Sequence, residues 1–301
     1  MKTRGFITVA TGADVYFHDA LNLFHSYRLF SENPLPFAIL CDQENEFTKE
    51  FDLTIKTENA VHGFLDKFLL AEHIPFDEMI FIEPDVLIYG DINYFFELFS
   101  GATDFSCFGR FADKDAKGFG YFQNDLLPED IGERVTKTIG LHGGLFYIRN
   151  SERAKKVLND ARQLSQRYAD FHFIANGEYL SDEPLLALSM SINKCLPIPF
   201  SNTSFASYPR NIGQLKLNMR KKYAKYSKSN QKLQALHWGS CFTKLPFYKR
   251  EEYFLNCHIG IEKYSRLKTI KLNMAVLDDK VSRLKSRMIE FLVETKHKIL
   301  K

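Results

Sequence analysis

A chain of 301 residues with 45% hydrophobic content and a net charge of +3 is a soluble globular protein by composition, large enough for one α/β domain with an appendage or for two domains. No apolar run approaches the roughly eighteen residues of a membrane span, and the opening MKTRGFITVATGAD is too short in apolar residues for a signal peptide, so a cytoplasmic location is expected. Five cysteines, Cys41, Cys107, Cys195, Cys241 and Cys257, lack paired spacing, which suits reduced thiols and argues against a disulfide framework or a zinc site.

Phe6 to Ala10 is an apolar, β-branched run closing on Thr11-Gly12-Ala13-Asp14, with Tyr16 beyond it. Apolar periodicity then runs through Ala20, Leu21, Leu23, Phe24 and Tyr27, so the order is strand, loop, helix. Pro36 to Cys41, ending at Asp42, predicts a second strand and Phe51 to Ile55 a third. Strands alternating with helices favour a mixed, mainly parallel sheet flanked by helices. The glycines match neither G-x-G-x-x-G nor a Walker loop, which removes the main support for a dinucleotide or ATP cradle. Val61 to His73 reads as a helix carrying Lys67, ordinarily a solvated residue, which could instead face the crevice formed by the next segment.

That next segment, Met79 to Phe99, is the most informative. Met79-Ile80-Phe81-Ile82 reads as a buried central strand that Pro84 must end, because proline donates nothing to a ladder. Val86-Leu87-Ile88 resumes at once, and Gly90-Asp91 reads as a turn and helix N-cap before Ile92, Phe95, Phe96 and Phe99. Glu83 and Asp85 are thereby held between two buried strands, where open α/β sheets bind ligands. Two oxygen ligands at i and i+2 suit Mg²⁺ or Mn²⁺; an ordinary acidic turn is the alternative.

Further on, His142-Gly143-Gly144 opens an apolar strand ending at Arg149-Asn150, the glycines admitting a ligand or backbone or forming a bulge. A long helix from Ser151 to about Tyr168 follows, and then Ser181 is placed to cap a helix whose first turn holds Asp182 and Glu183. His237 precedes the single tryptophan, Trp238, with Gly239 and Lys244 beyond. Such a histidine is structural unless the chain returns here to the carboxylates, where a neutral imidazole would complete an oxygen-rich metal site.

Two basic segments remain. Arg210 to Lys232 holds eight Lys or Arg and no acid. It carries no nucleic-acid motif and reads as a loop near an anionic ligand, so no nucleic acid is expected as partner. From Arg266 to Lys301 ten basic residues face four acids, and Ile270, Met274, Leu277, Val281, Leu284, Met288 and Phe291 alternate four and three apart. Such a helix can pack on its own domain, self-associate as a short coiled coil, or lie on an anionic membrane.

Together these segments resemble, in order over about 1–250, a family 8 glycosyltransferase of the glycogenin and bacterial lipopolysaccharide glycosyltransferase group. The resemblance implies a GT-A fold over 1–250 with a basic amphipathic helical extension over 251–301. It places Ala10, Thr11, Asp14 and Tyr16 in the uridine-contacting loop, Lys67 ahead of the metal motif, and FIEPDVLIYGDINYFF on the D-x-D segment. It also implies Mn²⁺, with Mg²⁺ the alternative, on Glu83, Asp85 and His237. Gly143, Gly144, Gly239 and Lys244 fall at the donor, and Asp182 beside the transferred sugar. The activity implied is retaining transfer of a hexosyl group from a UDP-sugar to a hydroxyl of a glycan or lipid-linked acceptor. Two positions depart from the pattern: Glu83 replaces the first aspartate and His142 the usual asparagine. If these break the site, the protein is a nucleotide-binding or assembly module; a sugar-phosphate nucleotidyltransferase is disfavoured because its glycine-rich opening is missing.

Overall fold

The computed structural model describes residues 2–173, 180–199, 205–208 and 214–299, with 284–299 described by backbone alone. Residues 210–213 of the basic stretch, and the side chains of Leu284, Met288 and Phe291, lie outside the described residues.

The central sheet has seven strands in the order β3-β2-β1-β4-β7-β6-β8. In chain order these are β1 (Arg4–Ala10), β2 (Phe37–Cys41), β3 (Leu53–Lys56), β4 (Glu78–Ile82), β6 (Phe105–Asp113), β7 (Lys137–Arg149) and β8 (Ile198–Pro199), with β5 (Val86–Ile88) in a separate sheet. Strands β3, β2, β1 and β4 run parallel, whereas β7 is antiparallel to both β4 and β6. The chain leaves β1 toward β2 and β3, then returns to its other side at β4. Order therefore reverses between β1 and β4, and open α/β sheets bind ligands beyond the carboxyl ends of strands at such a reversal.

Alternation along the strands builds two cores. Ile7, Val9, Met79, Phe81, Phe146 and Ile148 face helices α4 (Glu152–Leu164) and α5 (Asp182–Ile192). Phe6, Ala10, Ile80, Ile82, Leu145 and Tyr147 face α1 (Asp14–Phe30) and the one-turn α2 (Phe95–Leu98). A second sheet, β5-β12-β9, joins β5 to β12 (Ala235–His237), antiparallel, and β12 to β9 (Phe205–Ser207), parallel. Trp238 lies fully buried in a third cluster with Tyr208, Phe247 and Tyr248.

Several expectations are corrected. Lys67 rides a 3-10 helix, Phe64–Ala71, rather than an α-helix over 61–73. Asp91 does not cap a helix: its carboxylate accepts the Asn93 N–H at 3.0 Å in a turn, leaving α2 a single turn. Ser151 does cap α4, accepting from Ala154 N–H at 3.2 Å, but α4 stops at Leu164 and continues as a 3-10 segment, Ser165–Phe171. His142-Gly143-Gly144 sits inside β7, not at its mouth, because pairing with β6 extends the strand back to Lys137. The basic stretch is no plain loop but contains an antiparallel hairpin, β10 (Leu215–Asn218) and β11 (Tyr223–Tyr226), whose turn Asn218 ties by accepting Lys221 N–H.

Candidate functional site

Strand β4 ends at Ile82, and Glu83 follows, its N–H donating to Gly144 O at 3.0 Å and so continuing the β4–β7 pairing for one more step. Pro84 then turns the chain into β5 and leaves the Asp85 carboxylate beside it. Because β12 pairs with β5 in the register His237↔Val86, and Trp238 N–H donates to Asp85 O at 3.0 Å, the imidazole is delivered to the same place. His237 Nε2 lies 2.9 Å from Glu83 Oε2 and 3.1 Å from Asp85 Oδ1. One ligand atom from each of the three residues falls within 4.8 Å of the others.

Lys67 approaches from the opposite side. It is almost fully buried, which overturns the reading of a solvated lysine, and its ammonium pairs with Glu83 Oε1 and with Asp182 Oδ2, the latter at 2.8 Å. Burial alone would lower its pKa, but Asp182 and Glu83 outweigh it and hold the ammonium charged. Burial likewise opposes ionisation of Glu83, yet Lys67 and then His237 keep its carboxyl well below the usual range. Against its own desolvation, His237 is raised well above an ordinary imidazole by Asp85 and then Glu83.

Asp182 and Glu183 are more than helix-start residues. Ser181 makes no capping bond; Asp182 holds Lys67, while Glu183 accepts the Gly143 N–H at 2.8 Å and the Tyr121 hydroxyl at 2.7 Å. Burial raises the Glu183 carboxyl despite those donors. The paired glycines make room for these carboxylates. A Cβ at Gly143 would come within 2.9 Å of Asp182 Oδ2, and one at Gly144 within 3.1 Å of Glu83 Oε2. His142 Nδ1 accepts the Gly144 N–H at 3.1 Å, and its ring lies edge-on to His237 with centroids 5.1 Å apart.

Four further predicted residues sit where β1 passes into α1. Ala10 and Thr11 are buried, Asp14 and Tyr16 are exposed in the first turn of α1. Sequence reading missed what holds this loop. Asp66, next to Lys67, accepts Thr11 Oγ1–H at 2.6 Å and the N–H groups of Val61 and His62. Asp42 accepts Gly12 N–H at 3.1 Å and meets His62 Nε2 at 2.9 Å. The position of Asp42 at the end of β2 was a signal for it; Asp66 had none beyond its adjacency to Lys67. Gly239 takes a positive φ of 80° just after His237, and Lys244 stands exposed in the turn that follows.

The donor chemistry fits a divalent ion. Two carboxylates and one imidazole nitrogen suit Mn²⁺ or Mg²⁺ rather than a soft metal, and the buried Asp85 Oδ1 faces the His237 ring nitrogen at 3.1 Å without a well-formed hydrogen bond, as two ligands of one ion would stand.

No family model matches the chain, and no curated protein matches it by sequence. Solved structures do match. The galactosyltransferase LgtC, solved with donor and acceptor sugar analogues, aligns over 89% of this chain and 99% of its own with a TM-score of 0.51 at 10% identity. The glycosyltransferase GlyE of Streptococcus pneumoniae aligns over 66% of this chain with a TM-score of 0.44 at 14% identity, and the match spans 45% of GlyE's length. The mixed α/β architecture, with its large and mainly parallel sheet flanked by helices, is the GT-A fold of LgtC.

Proposed function

We propose that this protein is a glycosyltransferase that moves a hexosyl group from a UDP-sugar to a hydroxyl of a glycan or lipid-linked acceptor. The observation that carries the reading is the convergence of Glu83, Asp85 and His237 from two separate strands at the carboxyl end of β4, beside the β1/β4 reversal. Likeness to LgtC in fold supports it.

In this reading Ala10, Thr11, Asp14 and Tyr16 receive the nucleotide, Tyr16 offering its ring to the base. Asp85 and His237, with Glu83, hold Mn²⁺ or Mg²⁺. Bound there, the ion supplies positive charge against the diphosphate as a Lewis acid. Lys244 and Gly239 belong to the diphosphate side, and Lys244 adds a fixed cation. Lys67 bridges Glu83 and Asp182 and keeps Glu83 ionised, and Asp182 positions the sugar beside Gly143 and Gly144. The C1–O bond to the diphosphate breaks and a C1–O bond to the acceptor forms with retention, releasing UDP and a proton. We assign catalysis to 1–250 and a separate role to 251–301, and the five unpaired cysteines fit a reducing, cytoplasmic setting.

One observation favours a second reading, a nucleotide-binding module without turnover. Both Glu83 oxygens are already engaged, one by Lys67 and one by His237, which leaves Asp85 as the freer carboxylate.

A thermal-shift titration with UDP, with and without Mn²⁺, followed by turnover with a panel of UDP-sugars, tests both. Ligand at a hundred times its dissociation constant stabilises by about 2.7 kcal/mol, a visible shift. Wild type should show a Mn²⁺-dependent UDP shift; Asp85→Ala should lose it and lose at least about a hundredfold in turnover while keeping its circular dichroism. Undiminished turnover in Asp85→Ala would sink the metal assignment. A shift with no sugar consumed would select the second reading.

A further inference from the structure

Among its described side chains, the long helix Arg266–Ile299 packs one side on the rest of the molecule. Thr269 and Val276 are buried, Leu272 packs into the third cluster, and the Lys280 ammonium lies 5.5 Å from the Phe247 ring centroid. The apolar seam seen in the sequence is on a different side. Leu267, Ile270, Met274, Leu277 and Val281 are between 42% and 66% exposed and, at spacings of three and four, form one continuous stripe. Ile261 and Tyr264, also exposed, lead into it.

The basic hairpin meets this stripe at its beginning. Arg220, in the β10–β11 turn, places its guanidinium 4.5 Å from the Tyr264 ring centroid. Beside it His258 Nε2 lies 3.1 Å from the Met219 carbonyl oxygen. Arg220, Lys221 and Lys222 are exposed there, with Lys216, Lys228 and Lys232 on the flanking strands and loop, and no acid occurs between Arg210 and Lys232.

We propose that the hairpin and the stripe form a single docking face for an anionic lipid bilayer. Charge selects the occupant. A second copy paired in parallel through the stripe would set Arg266 against Lys271 of its partner, a like-charge contact at the positions that specify coiled coils. Lipid headgroups instead meet cations wherever they fall along the margin of an apolar face, and the lysine stems lie along the interface. The hairpin supplies the attraction and the stripe the insertion. This face is independent of the glycosyl-transfer reading, because none of its residues belongs to the carboxylate cluster.

The test is flotation of the full chain with vesicles of phosphatidylcholine alone and of phosphatidylcholine mixed with phosphatidylglycerol. Wild type should float with the mixed vesicles and stay behind with the neutral ones. Lys221→Glu with Lys222→Glu should cut the partition coefficient at least about tenfold, since each basic residue at an anionic surface contributes a severalfold factor. Leu267→Glu with Leu277→Glu should abolish the binding that survives raised salt. All four positions are exposed, so both variants should keep the wild-type melting midpoint and its UDP shift. Failure of wild type to bind mixed vesicles, or equal binding by wild type and both variants, overturns the proposal. So does a concentration-dependent dimer without vesicle binding that Leu267→Glu with Leu277→Glu dissociates, which would assign the face to a second copy.

Discussion

His237 is the residue whose charge decides most about the site. Its Nε2 lies 2.9 Å from Glu83 and 3.1 Å from Asp85, so a proton on that nitrogen and a divalent ion compete for the same lone pair. The folded-state imidazole is raised above its ordinary 6.5. In metal-free protein its stabilising contribution is therefore fully present below that value and is lost as pH rises through the raised one. The Glu83 contribution runs the other way, present above 4.5 and lost as pH falls through its lowered value. With a chelator present, the melting midpoint of wild type should fall as pH is raised above 6.5, and His237→Gln should flatten that slope. With Mn²⁺ the shift it produces should grow with pH, because binding requires the unprotonated ring; a pH-independent Mn²⁺ shift would remove His237 from the ligand set. Asp19 reports the same field: burial first, then the negative charge of Asp85, push its carboxyl up to about 7.

Among the elements, strand β7 does most to shape the site. It pairs β4 on one side and β6 on the other, and it presents the backbone of Gly143 and Gly144 to α5 and Glu83. Nothing larger than hydrogen fits at Gly143 without moving Asp182 or Glu183. We expect Gly143→Ala to cost about 1–3 kcal/mol through this overpacking, and to lower kcat for sugar transfer more than it weakens UDP binding. Gly140→Ala, in the same strand, is the control: its nearest neighbour would be the Phe119 ring at 3.5 Å, an ordinary contact. Thermal melts and steady-state kinetics on the pair would decide; equal effects at both positions would mean that the glycines serve the strand rather than the carboxylates.

For the whole molecule, the long helix poses the question of how a two-sided element attaches to its body. Val276 and Leu277 are adjacent in sequence, yet Val276 is 4% exposed and Leu277 60%. Val276→Asp should destabilise by about 2 kcal/mol or more, since it buries an unpaired charge, whereas Leu277→Glu should leave the chemical-denaturation midpoint within about 0.5 kcal/mol. Similar losses in both would show the stripe to be packed. Heptad spacing could reveal the seam but not the side on which the body sits, because burial depends on residues far away such as Phe247. The same limit applied at the site. By itself the sequence determined the strands at Phe6–Ala10 and Met79–Ile82 and the acidic break at Glu83-Pro84-Asp85, because hydrophobic runs, proline and turn residues act locally. It also carried enough ordered motifs to point to the GT-A fold. Only the tertiary structure decided that Lys67 is buried between Glu83 and Asp182 and that Glu183 binds β7. It likewise placed Asp66 and Asp42 behind the Thr11-Gly12 loop. Each of those contacts joins residues at least sixteen positions apart. Their charges are set by desolvation and by partners that only the packed sheet brings together.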